Sequence, residues 1–193
     1  MSGLGGNDII DGGLGIDTAK YNNAKSNYWL NFISPTNRSL TDTSGSQGTD
    51  TLISIERLKF SDTSLAIDLE GNAGVTAKIL GAVFGKESLK NKTYVGIGLY
   101  FLDAGWSYDD LAALALDAAG AKTNDEIVSL IWKNVVPGGT YPSAIDKAPY
   151  LSMLANGLPI GVFAHAAADS SLNTTNINLV GLAQTGIEYI PVS

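Results

Sequence analysis

The sequence predicts an α+β protein in which a β-rich first part, residues 1–70, is followed by an α-helical part, residues 71–193. Up to residue 70 the chain is rich in Gly, Asp, Asn, Ser and Thr, and short segments alternate apolar and polar residues. Beyond residue 70 it is rich in Ala, Leu and Ile at helical spacing. With 193 residues, 45% of them hydrophobic, the chain can bury one substantial core, or one core and a smaller unit.

Four segments of the first part have the β-branched and aromatic alternation that is typical of half-buried strands. They are residues 27–33, 38–43, 50–62 and 64–69. Each is short, and turn residues separate them. We therefore expect the first part to be all-β.

The second part carries its own helix start and stop signals. Residues 73–85 place their apolar side chains on one face, and Gly85 can end that helix. A second helix has Ser107 as N-cap and ends at Gly120, and a third begins with a Thr123–Glu126 capping box. The remaining helical patterns cover 143–156, 159–168 and 174–186. These patterns predict a bundle of about five or six short helices.

A glycine and aspartate pattern recurs three times in the first part. The copies are "GLGGNDIID" (3–11), "GGLGIDTAK" (12–20) and, at a distance, "GSQGTDTLI" (45–53). Each has Gly at positions one and four, Asp at position six and an apolar residue at position eight. The glycines permit turns that point backbone carbonyls inward, and the aspartates add carboxylate oxygens. Calcium accepts six to eight such oxygen ligands.

This pattern resembles the GGxGxDxUx nonapeptide of RTX, or hemolysin-type, calcium-binding proteins. The resemblance implies a short parallel β-roll with a β cap, in which one coil takes two nonapeptides and turns two repeats apart share a calcium ion. Asp8 and Asp17 would then lie on opposite edges, each with half a site that later residues must complete. A degenerate end-cap that binds nothing strongly is the alternative. The implied calcium-site residues are Gly3, Gly6, Asp8, Gly12, Gly15, Asp17, Asn22, Asn23, Asp42 and Asp50.

The resemblance continues beyond the repeats. Residues 48–74, "GTDTLISIERLKFSDTSLAIDLEGNAG", are similar to the segment that follows the last RTX repeats in exported bacterial proteins. The helical part is similar to a helical domain that often ends such chains, although it lacks the Arg-Pro-Asp and Tyr-Trp motifs between helices. The family implies export by the type I secretion machinery, which reads an uncleaved C-terminal signal; residues 174–193 are the candidate. The expected protein is secreted, extracellular or on the cell surface, and folds on binding Ca²⁺ after export.

Composition argues against several other classes of protein. The net charge of −7, from 19 acidic and 12 basic residues, argues against binding to nucleic acid, whose phosphates require a basic surface. The absence of cysteine excludes disulfides, zinc thiolates and thiol catalysis. No run of 18 apolar residues occurs, so no membrane span is expected, and no basic stretch precedes an apolar one at the N-terminus as in a cleaved leader.

The sequence does not predict an enzyme. A base formed by His165, the single histidine, with Asp169 at i+4 and a nearby Ser is the enzymatic alternative. No nucleophile elbow, HExxH or phosphate loop accompanies it, so we interpret His165 as a helix-surface residue. Trp29, Trp106 and Trp132 each lie within an apolar pattern, which favours core packing over stacking on sugars.

A different function remains open: a surface-layer or adhesin module whose helical domain binds a cell-surface protein or a glycan. A contiguous exposed aromatic patch on the helical part would favour it.

Overall fold

The computed structural model describes residue 1, residues 5–45 and residues 47–192, and in them the chain has the predicted α+β class. The first part contributes seven strands. They are β1 (Ile9–Asp11), β2 (Thr18–Lys20), β3 (Tyr28–Ser34), β4 (Asn37–Asp42), β5 (Thr49–Ile53), β6 (Arg57–Lys59) and β7 (Ser64–Ala66).

The second part contributes eight α-helices and one strand within the described residues. The first four helices are α1 (Asn72–Phe84), α2 (Lys92–Asp103), α3 (Tyr108–Ala118) and α4 (Asn124–Val135). They are followed by α5 (Ala144–Ala155), α6 (Ile160–Ala168), α7 (Ser171–Asn176), α8 (Leu179–Thr185) and strand β8 (Ile187–Tyr189). Two short 3₁₀ helices cover Lys25–Asn27 and Lys86–Lys90.

The strands form two four-stranded sheets with the orders β1-β5-β4-β3 and β2-β6-β7-β8. In each sheet the strand at the end of a glycine-rich repeat pairs in parallel with a later strand. β1 pairs with β5, and β2 pairs with β6. The other pairs are antiparallel. Apolar side chains from both sheets share one core, which includes Ile10, Ala19, Leu52, Leu58 and Leu65.

The predicted strand 50–62 is two strands in the structure. β5 belongs to the first sheet and β6 to the second, so the chain must turn between them. The turn includes Ser54, which adopts the left-handed conformation with φ 49° and donates its N–H to the Thr36 carbonyl at 2.8 Å. Apolar alternation continues across this turn because both strands face the same core, and so the pattern reads as one strand.

The helix caps follow the predicted signals. The capping box of Thr123 and Glu126 is confirmed, with both reciprocal hydrogen bonds present. Ser107 caps α3 by accepting from the Asp110 N–H. α1 ends at Phe84, before Gly85, whose φ of 82° suits glycine.

Helix α2 was not predicted, because its β-branched, aromatic and glycine residues do not favour a helix. The two glycines allow close packing instead. A Cβ on Gly96 would lie 1.9 Å from the Ile190 carbonyl oxygen, and one on Gly98 would lie 2.6 Å from Thr76 Cγ2. The helix therefore depends on tertiary contacts that its local sequence does not reveal.

The C-terminal segment departs from the single helix expected over 174–186. Asn178, in the left-handed conformation with φ 53°, separates α7 from α8. β8 then pairs antiparallel with β7, matching Ala66 with Ile187. The end of the described chain thus completes a sheet of the first part.

An ion-pair cluster links β8 to the β-rich part and to the helical part of the chain. Glu188 contacts Lys25 Nζ at 2.8 Å and Lys92 Nζ at 2.6 Å. These two lysines, chiefly through hydrogen bonds, lower the pKa of Glu188 to about 2. Lys25 precedes β3 and Lys92 begins α2, so one carboxylate connects three segments of the chain.

We expect the Glu188 cluster to stabilise the protein in a defined pH range. A depressed carboxyl pKa contributes stability above the unfolded-state pKa, and that contribution disappears as pH falls from about 4.5 toward 2. Glu188→Gln should reduce the free energy of unfolding at neutral pH by about 1 kcal/mol, since all three side chains are partly exposed and screened. Unfolding curves measured at pH 7 and pH 2.5 check this, because the difference should shrink at low pH. Glu87→Gln, in an exposed pair with Lys90, is the matched control; an equal loss in both variants would contradict the prediction.

The helices pack around α1, which contacts α2, α3, α4, α6 and α7. Their core includes Ile79, Val83, Leu116, Val128 and Phe163. Among the described residues, no helix combines the length and apolar character needed to cross a bilayer.

Candidate metal centre

The first and third repeats lie side by side. β1 and β5 pair in parallel with Ile10 opposite Leu52, which aligns position eight of the two copies. The Asp8 N–H donates to Asp50 Oδ1 at 3.0 Å, and the Thr49 N–H donates to Asn7 Oδ1 at 2.8 Å. The two glycine-rich turns are therefore in direct contact, although 42 residues separate Asp8 from Asp50.

The three repeats share backbone conformation as well as sequence. The position-four glycines Gly6, Gly15 and Gly48 have φ values of 101°, 107° and 82°, all in the region that favours glycine. The position-eight residues Ile10, Ala19 and Leu52 are all buried. The repeat spacing thus corresponds to one turn followed by one inward-facing side chain.

Asp17 has a counterpart that the repeat pattern did not reveal. Its N–H donates to Glu56 Oε2 at 2.8 Å, just as the Asp8 N–H donates to Asp50. The neighbouring pair Thr18 and Arg57 is in parallel register. Glu56 was missed because no glycine precedes it, but its spacing to Leu58 matches that of Asp17 to Ala19. A search for an acidic residue two positions before an apolar one would have found it.

The repeat aspartates differ in how the protein occupies their carboxylates. Asp50 is 5% exposed, and its second oxygen accepts a hydrogen bond from the Tyr21 hydroxyl at 2.9 Å. Burial and that bond raise the pKa of Tyr21, so the hydroxyl stays a donor. The side chains of Asp8 and Asp17 make no hydrogen bond or ion pair within the described part of the chain. These two carboxylates retain their full capacity to accept ligands.

Of the repeat glycines, Gly12 is required by close packing. A Cβ there would lie 2.1 Å from the Ser54 carbonyl oxygen, and the Gly12 N–H donates to the Ile53 carbonyl at 2.9 Å. Gly3 lies outside the described residues.

Two of the remaining predicted ligands, Asp42 and Asn23, have structural contacts of their own. Asp42, 4% exposed, accepts from the Ser44 and Gln47 N–H groups at 2.9 Å and so closes the turn of the third repeat. The Asn23 carbonyl accepts from the Ser61 N–H at 3.1 Å, whereas Asn22 is exposed. The hydrogen bonds to Asp42 stabilise the turn of the third repeat.

The groups at the stacked turns that could coordinate a metal are carboxylates and backbone carbonyls. Their ligand atoms are oxygens, which suits a hard cation such as calcium. Within residues 5–45 and 47–192, however, no group of three or more His, Cys, Asp or Glu side chains is arranged to hold a metal. A calcium ion at these turns would therefore need backbone carbonyls beside Asp8 and Asp50, and likewise beside Asp17 and Glu56.

His165 belongs to a separate acidic cluster on the helices. Its Nδ1 lies 2.7 Å from Asp109 Oδ1, and its Nε2 lies 3.2 Å from Asp169 Oδ2. The Tyr108 ring stacks on the imidazole at 3.7 Å, and Lys78 Nζ contacts Asp169 at 2.6 Å. Burial tends to raise the pKa of Asp169, but Lys78, together with Tyr108 and His165, outweighs it and the net shift is downward. In this part of the structure both ring nitrogens face carboxylates and not a serine hydroxyl.

Comparison of the chain with protein-family models, with curated proteins and with solved structures finds no match.

Proposed function

We propose that the protein is a calcium-binding C-terminal module of a secreted bacterial protein that folds on binding calcium after type I export. The observation that carries the proposal is the parallel stacking of the first and third repeats, with Asp8 against Asp50 and left-handed glycines at the same position in both turns. The family resemblance of the repeats supplies the link from this arrangement to calcium.

A short parallel β-roll is the finer fold that we propose for the first part. The Met1 N-terminus donates to the Thr18 carbonyl at 3.0 Å, and the Lys20 N–H donates to the Met1 carbonyl at 2.8 Å. Met1 thus lies beside Ala19, eighteen residues later, which is the length of two nonapeptides. This spacing supports a coil of two repeats. β3 and β4 would be an insertion between two such coils.

Calcium would supply folding free energy at these turns. The backbone N–H groups of Asp8 and Asp17 bond the carboxylates of Asp50 and Glu56, so acidic residues become neighbours in two pairs on folding. Negative charges brought near each other oppose folding when no cation is present. A chain that stays loose in a calcium-poor cytoplasm suits an exporter that takes unfolded substrates. Millimolar calcium outside the cell would then stabilise the folded state by mass action.

The proposed role is binding and not catalysis. His165, the one candidate base of the enzymatic alternative, has both ring nitrogens against carboxylates, which supports a structural role. The proposed partners are the type I secretion machinery during export and, for the exported protein, a cell-surface protein or a glycan.

A calcium titration tests the proposal. Adding calcium should increase β-sheet circular dichroism and stabilise the protein by about 1–3 kcal/mol near saturation, since only the folded state holds the ligands together. Magnesium should do much less because it requires a small octahedral site. Asp8→Asn should weaken the calcium response, whereas Asp117→Asn, at an exposed helical position, should not.

Identical melting curves in calcium and in chelator would rule out the proposal. An equal calcium response in the Asp8→Asn variant and the unaltered protein would instead remove the stacked turns as the site.

A second candidate function, an adhesin module, is favoured by an aromatic patch on the helical part. The Phe101 ring lies 5.5 Å from Tyr100 and 4.5 Å from Trp106. Tyr100 and Trp106 are 52% and 42% exposed, so the expectation that Trp106 packs in the core is wrong. Such a patch would suit contact with a cell-surface protein or a glycan.

A further inference from the structure

The first sheet has an uncovered outer face, formed by alternate residues of its four strands. The residues between them, such as Ile10, Leu40 and Leu52, are buried in the core. The outer face therefore consists of the opposite set: Trp29, Asn31, Ile33, Asn37, Ser39, Thr41, Thr49, Thr51, Ile53, Ile9 and Asp11.

Trp29 stands at the end of a row of hydroxyl groups on this outer face. It pairs with Thr41 across β3 and β4, and Thr41 pairs with Thr49 across β4 and β5. The Thr41 and Thr49 hydroxyl oxygens are 3.0 Å apart. Trp29 is 63% exposed, so the sequence-based expectation that it packs in the core is wrong. The reason is that its neighbours Tyr28 and Leu30, and not Trp29, point toward the core.

A second row of polar groups runs alongside the first. Asn31 pairs with Ser39, Ser39 with Thr51, and Thr51 with Ile9. Neighbouring rows on one sheet face are about 7 Å apart, and neighbouring strands about 4.8 Å. From Trp29 to Thr49 the first row therefore spans roughly 10 Å, the length of about two sugar rings.

The outer face is almost free of charge. Among its described residues the single ionisable side chain is Asp11, on the edge strand β1. A charged ligand would find no counter-charge in the two rows, whereas an uncharged one loses no ion hydration on binding. Hydroxyls and amides that lie beside an exposed indole are suited to a ligand with both polar edges and an apolar face.

We infer that the outer face binds a neutral polysaccharide. Trp29 stacks on the C–H face of one sugar, while Thr41, Thr49, Asn31 and Ser39 hydrogen-bond to sugar hydroxyls. A cleft of about 440 Å³ borders Trp29 at edge strand β3. Lys25 and the inward-facing Tyr28 and Leu30 line it together with Asn31, so the cleft adjoins the outer face and is not part of it. This site lies on the β-rich part, apart from the Tyr100–Trp106 patch, and does not depend on calcium occupancy for its chemistry.

Affinity gel electrophoresis tests this inference. The protein, in calcium-containing buffer, is run through gels that hold hydroxyethylcellulose, a mixed-linkage β-glucan or galactomannan, with alginate as an anionic polysaccharide. We expect retardation by at least one neutral polymer and not by alginate. Trp29→Ala should weaken binding at least about tenfold, because an exposed tryptophan typically supplies a large share of the binding energy at such a contact. Thr41→Val with Thr49→Val, which keeps side-chain volume, should weaken it severalfold.

Tyr141→Ala is the matched control, because Tyr141 is an aromatic residue of the helical part that is 69% exposed. Thermal melting of every variant separates lost binding from lost folding. No retardation by any neutral polymer, retardation by alginate alone, or a loss confined to Trp106→Ala would each overturn the inference. Concentration-dependent dimerisation that Trp29→Ala abolishes, without glycan binding, would overturn it too, since the outer face would then join two copies of the chain.

Discussion

Replacing Arg57 with methionine is expected to reduce the free energy of unfolding by about 3–5 kcal/mol. Arg57 is 2% exposed and pairs with Asp68 at 2.5 Å and Asp103 at 2.7 Å. Asp68 lies in a site where burial raises its pKa in spite of the arginine. Without Arg57, that largely buried carboxylate would lose its ion-pair partner. Chemical denaturation at pH 7 measures the loss.

Lys59→Met is the control for Arg57→Met, because Lys59 lies on the same strand and is exposed. It should change stability by no more than about 0.5 kcal/mol. Adding Asp68→Asn to Arg57→Met should recover part of the loss, since it removes the unpaired charge. Equal stabilities of the Arg57→Met and Lys59→Met variants would show that the ion-pair network is not needed for the fold.

Replacing Ile187 with alanine is expected to cost about 2–4 kcal/mol. Ile187 is 3% exposed, lies on β8 and joins the core that contains Ala66, Leu80 and Leu99. Ile190→Ala is the matched control, since Ile190 is 53% exposed and its backbone bond to the Lys92 carbonyl does not require its side chain. If the two variants melt alike, β8 is not part of the stable fold.

The same variant separates folding from export. Type I exporters, as the family resemblance implies, recognise the C-terminal segment before it folds, so a reporter fusion with Ile187→Ala should still be exported. Deleting residues 174–193 should abolish export through a matching type I system. Undiminished export of the truncated fusion would remove the secretion-signal part of the proposal and leave the calcium-binding part unaffected.

Local signals in the sequence predict those features of the fold that depend only on residues close together in the chain. The capping box of Thr123 and Glu126 needs only residues three apart. The repeat glycines Gly6, Gly15 and Gly48 mark left-handed turns because other residues are strained there. The strands at 27–33 and 38–43 follow from alternation in a half-buried sheet.

Local signals do not predict which distant segments pair with each other. The spacing of Glu56 to Leu58 can mark Glu56 as a candidate, but its hydrogen bond with the Asp17 N–H spans 39 residues and depends on how the strands pair. α2 depends on Gly96 packing against the carbonyl of Ile190, and a glycine in isolation argues against a helix.

The α+β class, the repeat turns and the helix caps are predictable from the sequence, because periodicity, glycine placement and capping are properties of residues close together in the chain. The stacking of the first and third repeats, the outward orientation of Trp29 and the pairing of β8 with β7 become visible in the folded structure. Those outcomes depend on which distant backbone groups satisfy each other's hydrogen bonds, and on which face of a strand is covered.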